Sequence, residues 1–501
     1  MNSKITNDNS YIYLILFFLF IPLNFVPQIF DGVIIEYAFV IEDLSALKLW
    51  YYERARQFHL LIILIVDFLA KYTFFEPEIL FDGFSIIALI LLCAEVKKYS
   101  IFLFGFEKKW SNLAALFTAI FPVWHVLVDF DISTYLISIY FLFFGYRKFI
   151  DKKIYNNFIG LIFIILSFNV DSNLIFVIGL STIHLLINYN RLNNSPKFNF
   201  LKLMMIIATS FGYYFIRGKY FPPFGHFVGY NNFDLNSIVA FFSSNILSFN
   251  LIKNIINYST YLIAWTWLPL FFYFDLFFKN KDSFLKVKIN FNYINNYTVL
   301  ILLSAFAIFP YLLLNKSSSM FYLGDFYQRH AFLLAPIYGI FFSNMFRDLS
   351  KANSLTKKVN LNYYLITFIL FNLILLNYGS FRKVESYLFT KNLENELKLH
   401  NTPSKGIVKF VYKSVPYDLR PFEVSYLFYK AYDTAGWKSN IVKDVKLDDI
   451  HAKMFITNDY KYECSISVHL KNDLNKIGRF KNFYVFNYKK YYNIDKIIEK
   501  C

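Results

Sequence analysis

Cysteine is nearly absent from this 501-residue chain: Cys93, Cys464 and Cys501 are the only three, and no CxxC or Cys/His spacing accompanies them. That argues against a disulfide scaffold and against a structural zinc site of ordinary ligand spacing. Cys464 and Cys501 share the tail region and can bridge there only in an oxidising compartment; two unpaired thiols are the equal alternative. Charge is also scarce, at 17% of residues, and mean hydropathy is +0.39. A soluble protein of this length needs far more polar surface. Missing too are a Gly-rich phosphate loop, a Walker motif, HExxH and GxSxG, so a soluble nucleotide fold is not indicated. No internal repeat stands out, which weakens an inverted-repeat transporter.

What the chain has instead is a ladder of apolar runs, with 56% hydrophobic residues overall. Candidate membrane spans lie near 11–30, 58–75, 83–97, 113–129, 132–147, 155–170, 173–189, 199–216, 256–278, 297–315, 330–346 and 362–379. The expected fold class is an α-helical polytopic membrane protein of about 11–12 hydrophobic segments, followed by a small C-terminal α/β domain outside the membrane. Residues 11–30 read as a retained first helix, since no small-residue cleavage site precedes Asp31. The 63 Phe and 40 Tyr are consistent with an AT-rich genome and carry no functional weight here.

A net charge of +16 raises the question of nucleic acid. Its distribution answers no, because much of it sits in short loops such as 147–153, 279–296 and 347–361, where it biases topology. Placing those loops inside, with 97–109 and 189–202, puts 129–131, 171–172, 217–255, 316–329 and everything beyond 380 on the outer face. A full crossing by 58–75 breaks the alternation, so that segment, which carries Asp67, reads as in-plane or re-entrant, with a span that violates the charge rule as the alternative. Residues 44–57 read as an interfacial helix whose Glu53, Arg54 and Arg56 reach headgroups. The expected organisation is a membrane domain over 1–380, with outer loops 31–57 and 217–255, and a soluble domain over 381–501. In the tail, runs beginning at Gly406, Lys453 and Asn482 read as strands, and 420–435 and 491–500 as helices.

The chemistry-bearing residues collect at the expected outer face. Asp31 and Glu36 follow the first span; a carboxylate there can take a proton from a sugar hydroxyl or hold a metal that grips phosphate. The alternative is a pair of interfacial charges ending a helix. Asp129 and Asp131 at another helix junction offer a metal site for magnesium or manganese, or a solvated turn. Arg329 and His330 precede a late apolar run; the guanidinium offers bidentate phosphate binding and the imidazole a donor or an acid. The alternative is an arginine snorkelling to headgroups.

Asp31, the many later spans and the run Arg329-His330-Ala-Phe-Leu-Leu-Ala-Pro336 together resemble the GT-C class of integral-membrane glycosyltransferases. The likeness covers roughly residues 11–380 and a trailing outer domain. Members carry an adjacent acidic pair in the first outer loop; here Gly32 follows Asp31, and the adjacent pair is Glu42-Asp43. The resemblance implies a polyprenyl-phosphate-linked sugar as donor and a glycan, lipid (including lipopolysaccharide) or protein acceptor of the cell envelope. It implies inversion at the anomeric carbon, with Asp31 or Glu36 as base and Arg329 with His330 on the departing phosphate. It also implies a multi-pass protein of the bacterial inner (plasma) membrane with a periplasmic tail, in contact with membrane lipids. A lipid-linked-glycan flippase or transporter, an envelope-glycan polymerase or ligase, and a non-enzymatic scaffold are the competing readings.

Overall fold

The computed structural model describes residues 44–53, 56–75, 77–128, 131–190, 196–223, 249–279, 294–314, 316–320, 326–354 and 361–398, with four strands beyond. Among these residues the chain is almost wholly helical. In chain order the helices are α1 (Leu44–Glu53), α2 (Gln57–Tyr72), α3 (Pro77–Phe104), α4 (Lys108–Ala119), α5 (Asp131–Ile150), α6 (Ile154–Ser167), α7 (Asp171–Asn190) and α8 (Pro196–Tyr220). They continue with α9 (Phe249–Lys279), α10 (Ile294–Leu313), α11 (Leu334–Ser354) and α12 (Leu361–Lys398). Two 3₁₀ segments, Pro122–Val128 and Phe326–Ala331, interrupt the series.

The expected 11–12 crossing segments do not hold. Among the described residues three helical stretches are long and apolar enough to cross a membrane: Ile79–Phe104, Phe200–Tyr220 and Asn296–Leu313. Several of the other runs are shorter helices or are broken, and apolar stretches of that length often belong to a protein core. The run 113–129 is broken at Pro122, whose ring disfavours helix in the preceding residue. Its freed carbonyls find local partners: the Trp124 indole donates to the Thr118 carbonyl at 2.5 Å, and His125 Nδ1 lies 2.5 Å from the Pro122 carbonyl. Helix α6 has only 14 residues, about 21 Å of rise. Helix α2 has 16 residues and carries an Asp67–Lys71 pair. Helix α11 buries Ser343, Asn344 and Arg347. The expected first helix, 11–30, lies outside the described residues.

Nor is the expected C-terminal α/β domain seen among the described residues. Helix α12 continues past Ser380 to Lys398, through a Lys- and Glu-rich stretch with neither Pro nor Gly after Gly379. Beyond it the described residues form only strands: β1 (Val408–Phe410) parallel to β2 (Ser439–Ile441), and β3 (Ser465–Leu470) antiparallel to β4 (Ile494–Lys500). The run from Gly406 contains β1. The expected helix over 491–500 is strand β4 instead, because cross-strand pairing with β3 outweighs local helix preference in a segment carrying three isoleucines. The runs from Lys453 and Asn482, the helix over 420–435, Cys464 and Cys501 lie outside the described residues.

The core of the bundle is aromatic. Trp265 of α9 packs against Phe121, Phe342 of α11 and Phe368 of α12, with ring centroids 5.0, 5.1 and 5.0 Å away. Phe117 of α4 meets Phe368 at 4.9 Å. Such edge-to-face contacts add about 0.5–1.5 kcal/mol each beyond burial. Many phenylalanines thus serve packing, and others lie on the surface: Phe158 is 68% exposed and Phe215 69%.

Helix α5 is tied at its C-terminal end. Arg147 donates from Nε to Glu95 Oε2 at 2.7 Å and from an Nη to Oε1 at 3.1 Å, and Lys98 joins the same carboxylate at 2.8 Å. Nearby, the Tyr146 hydroxyl meets His184 Nδ1 at 3.0 Å. Helices α5 and α6 cross on two glycines: a Cβ on Gly160 would stand 2.6 Å from the Gly145 carbonyl, and one on Gly145 2.8 Å from that of Gly160. Replacing Gly160 with Ala therefore has to push the two helices apart. We expect a loss of about 1–3 kcal/mol, read as a lowered Tm in detergent, with Gly212→Ala, which has open space around it in α8, as the control that holds or raises Tm.

Candidate functional site

At the other end of α5, several helix ends meet. Tyr135 lies one turn into α5 and is 9% exposed. The guanidinium of Arg56, at the α1–α2 junction, stands 5.6 Å from its ring centroid, and that of Arg329, in the second 3₁₀ segment, stands 6.0 Å away. Two cations from distant parts of the chain therefore share one phenol ring. Each cation–π contact is worth about 0.5–2 kcal/mol. His59 approaches the same ring edge-on at 5.8 Å and stacks on Tyr51 at 6.1 Å. Asn169, beyond the end of α6, hydrogen-bonds His59 Nδ1.

A second arc of residues extends this cluster. At the end of α10, the Tyr311 ring lies 4.7 Å from the His330 ring, and its hydroxyl donates to Ser172 Oγ at 3.0 Å. Asp171, the first residue of α7, pairs with Arg217 at the end of α8. Arg217 Nε is buried and makes no hydrogen bond among the described residues. The Lys316 amide donates to the Tyr311 carbonyl at 2.8 Å, placing this lysine just past α10. The following residues are held to α9: Asn257 donates to Ser317 Oγ at 3.2 Å, the Tyr261 hydroxyl meets Ser318 Oγ at 2.7 Å, and the Met320 amide donates to Thr260 Oγ1 at 2.9 Å.

Electrostatics record the crowding of positive charge. Burial pushes the Lys316 ammonium down to about 8, with Tyr135 acting the other way and Arg329 and Arg56 reinforcing the fall. Burial, then Arg329 and Lys316, hold the His330 imidazole well below the ordinary histidine value, against a hydrogen bond to the Ser317 backbone. His330 is neutral at physiological pH, and its one ring N–H is held by the Ser317 backbone. What this end of the bundle can do is bind an anion: planar guanidinium groups and an ammonium suit phosphoryl oxygens.

No known protein family, curated protein or solved structure matches this chain. The site therefore rests on its own geometry.

Of the residues expected from sequence, Arg329 and His330 sit in this cluster. Asp131 opens α5 four residues before Tyr135. Asp31, Glu36 and Asp129 lie outside the described residues. No group of three or more His, Cys, Asp or Glu side chains that could hold a metal occurs among the described residues, so no ligand set there fits the expected magnesium or manganese. Sequence reasoning missed Lys316, Tyr135, Tyr311 and Arg217, and took Arg56 as a headgroup contact although it packs inward on Tyr135. One signal was available: Arg56, Arg217 and Arg329 are arginines outside the basic loops that set topology.

Lys316 makes the site sensitive to alkali. It is protonated below about 8, so affinity for inorganic pyrophosphate is expected to fall as pH rises through that value, and Lys316→Met to flatten the profile, both read by calorimetry. The stability effect has the opposite sign. A lysine whose folded value is depressed favours the folded state above its unfolded value, near 10.4, and loses that contribution as pH falls towards 8. Tm without ligand should therefore rise between these limits while affinity drops.

Proposed function

We propose that the protein is a membrane glycosyltransferase that moves a sugar from a polyprenyl-phosphate donor to a cell-envelope acceptor at the outer face. One observation carries the reading: Arg56 and Arg329 flank Tyr135, with Lys316 within electrostatic reach, at one end of a bundle that contains membrane-capable helices. A lipid-linked phosphate is an anion presented at that depth, and a lipid-facing apolar exterior suits the prenyl chain.

The chemistry follows from charge. The acceptor hydroxyl oxygen attacks the anomeric carbon from the side opposite the phosphate. The bond between that carbon and the phosphate oxygen breaks, and its electron pair leaves with the phosphate. The configuration inverts, and the acceptor proton passes to a carboxylate, for which Asp31 or Glu36 is the proposed base. The donor phosphodiester carries one negative charge; the departing phosphate gains a second. Cations placed before the reaction begins therefore bind the transition state more tightly than the ground state. Arg329, Arg56 and Lys316 are suited to that charge, while the neutral His330 donates its one N–H to the Ser317 backbone.

Purified protein in lipid, incubated with radiolabelled polyprenyl-phosphate sugars and envelope extracts, should transfer label. Arg329→Ala should lower kcat about a hundredfold, the usual effect of losing one such donor. Asp31→Asn should abolish transfer while leaving membrane insertion intact. Movement of the labelled lipid across the bilayer without transfer would instead favour a flippase.

A further inference from the structure

Next to the cations lies a corner of the molecule made of hydroxyl groups and aromatic rings, which the reaction outlined above does not use. Tyr258 and Tyr261 sit three residues apart on α9 and so share a face of that helix. Tyr261, Thr260 and Asn257 are all engaged with Ser317–Met320, the segment that carries on from Lys316. Tyr311 closes the corner from α10, where its own hydroxyl is occupied by Ser172. Tyr258 is different. It is 2% exposed, yet its hydroxyl makes no hydrogen bond among the described residues. That hydroxyl lies within electrostatic reach of both Tyr311 and Tyr261.

A buried hydroxyl with no partner is costly, and native structures leave few of them. Replacing Tyr258 with Phe would keep the ring and remove the cost, so the hydroxyl calls for an account. A bound group that brings its own donors and acceptors would supply the missing bond. The chemistry of the corner narrows the choice of group. The site's cations lie at Arg56, Arg329 and Lys316, and Tyr311 stands against His330 at their edge. The groups within reach of the Tyr258 hydroxyl itself, Tyr311 and Tyr261, are neutral phenols. Aromatic faces for C–H groups, with hydroxyls for polar edges, fit a sugar ring and not a second phosphate.

We infer that the Tyr258 hydroxyl marks a sugar subsite, in which the α9–α10 tyrosines hold the glycosyl group of a lipid-linked donor whose phosphate rests on Arg329 and Arg56. The inference depends on the glycosyl-transfer reading for the phosphate, and the test separates the two. Full-length protein in nanodiscs is titrated with bare polyprenyl phosphate and with polyprenyl phosphates carrying glucose, galactose or mannose. Wild-type protein should bind at least one sugar-bearing lipid more tightly than the bare one. Tyr258→Phe should lower affinity for that lipid about tenfold, the effect of one lost hydrogen bond to a buried group, and leave the bare lipid unaffected. Its Tm without ligand should be equal to or above that of wild type.

Equal binding of all lipids by wild type, or an unchanged preference in Tyr258→Phe, overturns the subsite; the second result would mean that a water completes the hydroxyl. An equal loss on bare and sugar-bearing lipid also overturns it, since Tyr258 would then serve the phosphate. Arg329→Ala tests the underlying reading by itself: both lipids should weaken together, and undiminished binding of both removes the phosphate site and with it this inference.

Discussion

Two guanidinium groups on one phenol ring is the arrangement on which the functional end of this molecule depends. Like charges held close repel, and burial adds desolvation. Arg56 and Arg329 meet that cost partly through Tyr135, whose ring attracts both cations. The geometry brings together the α1–α2 junction, the start of α5 and the second 3₁₀ segment. Burial first, and then the positive field of these groups, pushes Lys316 and His330 towards their neutral forms. An anion arriving there would relieve repulsion and meet several donors at once, which is the physical basis of the phosphate site proposed above.

The rest of the bundle supports that arrangement. Tyr135 is placed by α5, and the other end of α5 is anchored by the Arg147–Glu95–Lys98 network. Along its length α5 meets α6 through Gly145 and Gly160, so closely that the helices have little room to shift. Around Trp265 the aromatic core holds α9, α11 and α12 together. Helix α9 in turn holds Ser317–Met320 through Asn257, Thr260 and Tyr261. Hydrogen bonds to fixed helices thus position the segment that follows Lys316, and they keep an otherwise irregular stretch in one conformation.

Part of the site was legible because charge bias along the chain carries topological information. Alternation of the basic loops placed 129–131, 171–172, 217–255 and 316–329 on one face. Tyr135, Asp171, Arg217, Lys316 and Arg329 do meet at one end of the bundle. Arg329 and His330 stood out because arginine is scarce beside lysine and because they open a late apolar run. Lys316 and Arg217 have nothing in their local sequence to set them apart from ordinary charges at helix ends. Nothing in local sequence distinguishes a cation facing lipid headgroups from one turned into the bundle; Arg56 is the instance that went the other way. Tyr135 and Tyr258 were hidden among 40 tyrosines.

Hydropathy overstated the number of crossings for a related reason. An apolar run reports that water is avoided, and both a protein core and a bilayer satisfy it. Pro122 breaks one such run, the buried Ser343, Asn344 and Arg347 place that of α11 inside the protein, and α6 is simply short at 14 residues. The sequence by itself determined that the chain is largely helical, apolar and suited to a membrane, since these depend on composition and on the spacing of apolar residues. Only the tertiary structure decided which helices are core and which can cross, and which cations converge on Tyr135. Those depend on contacts between residues far apart in sequence, and on packing distances that no local pattern encodes.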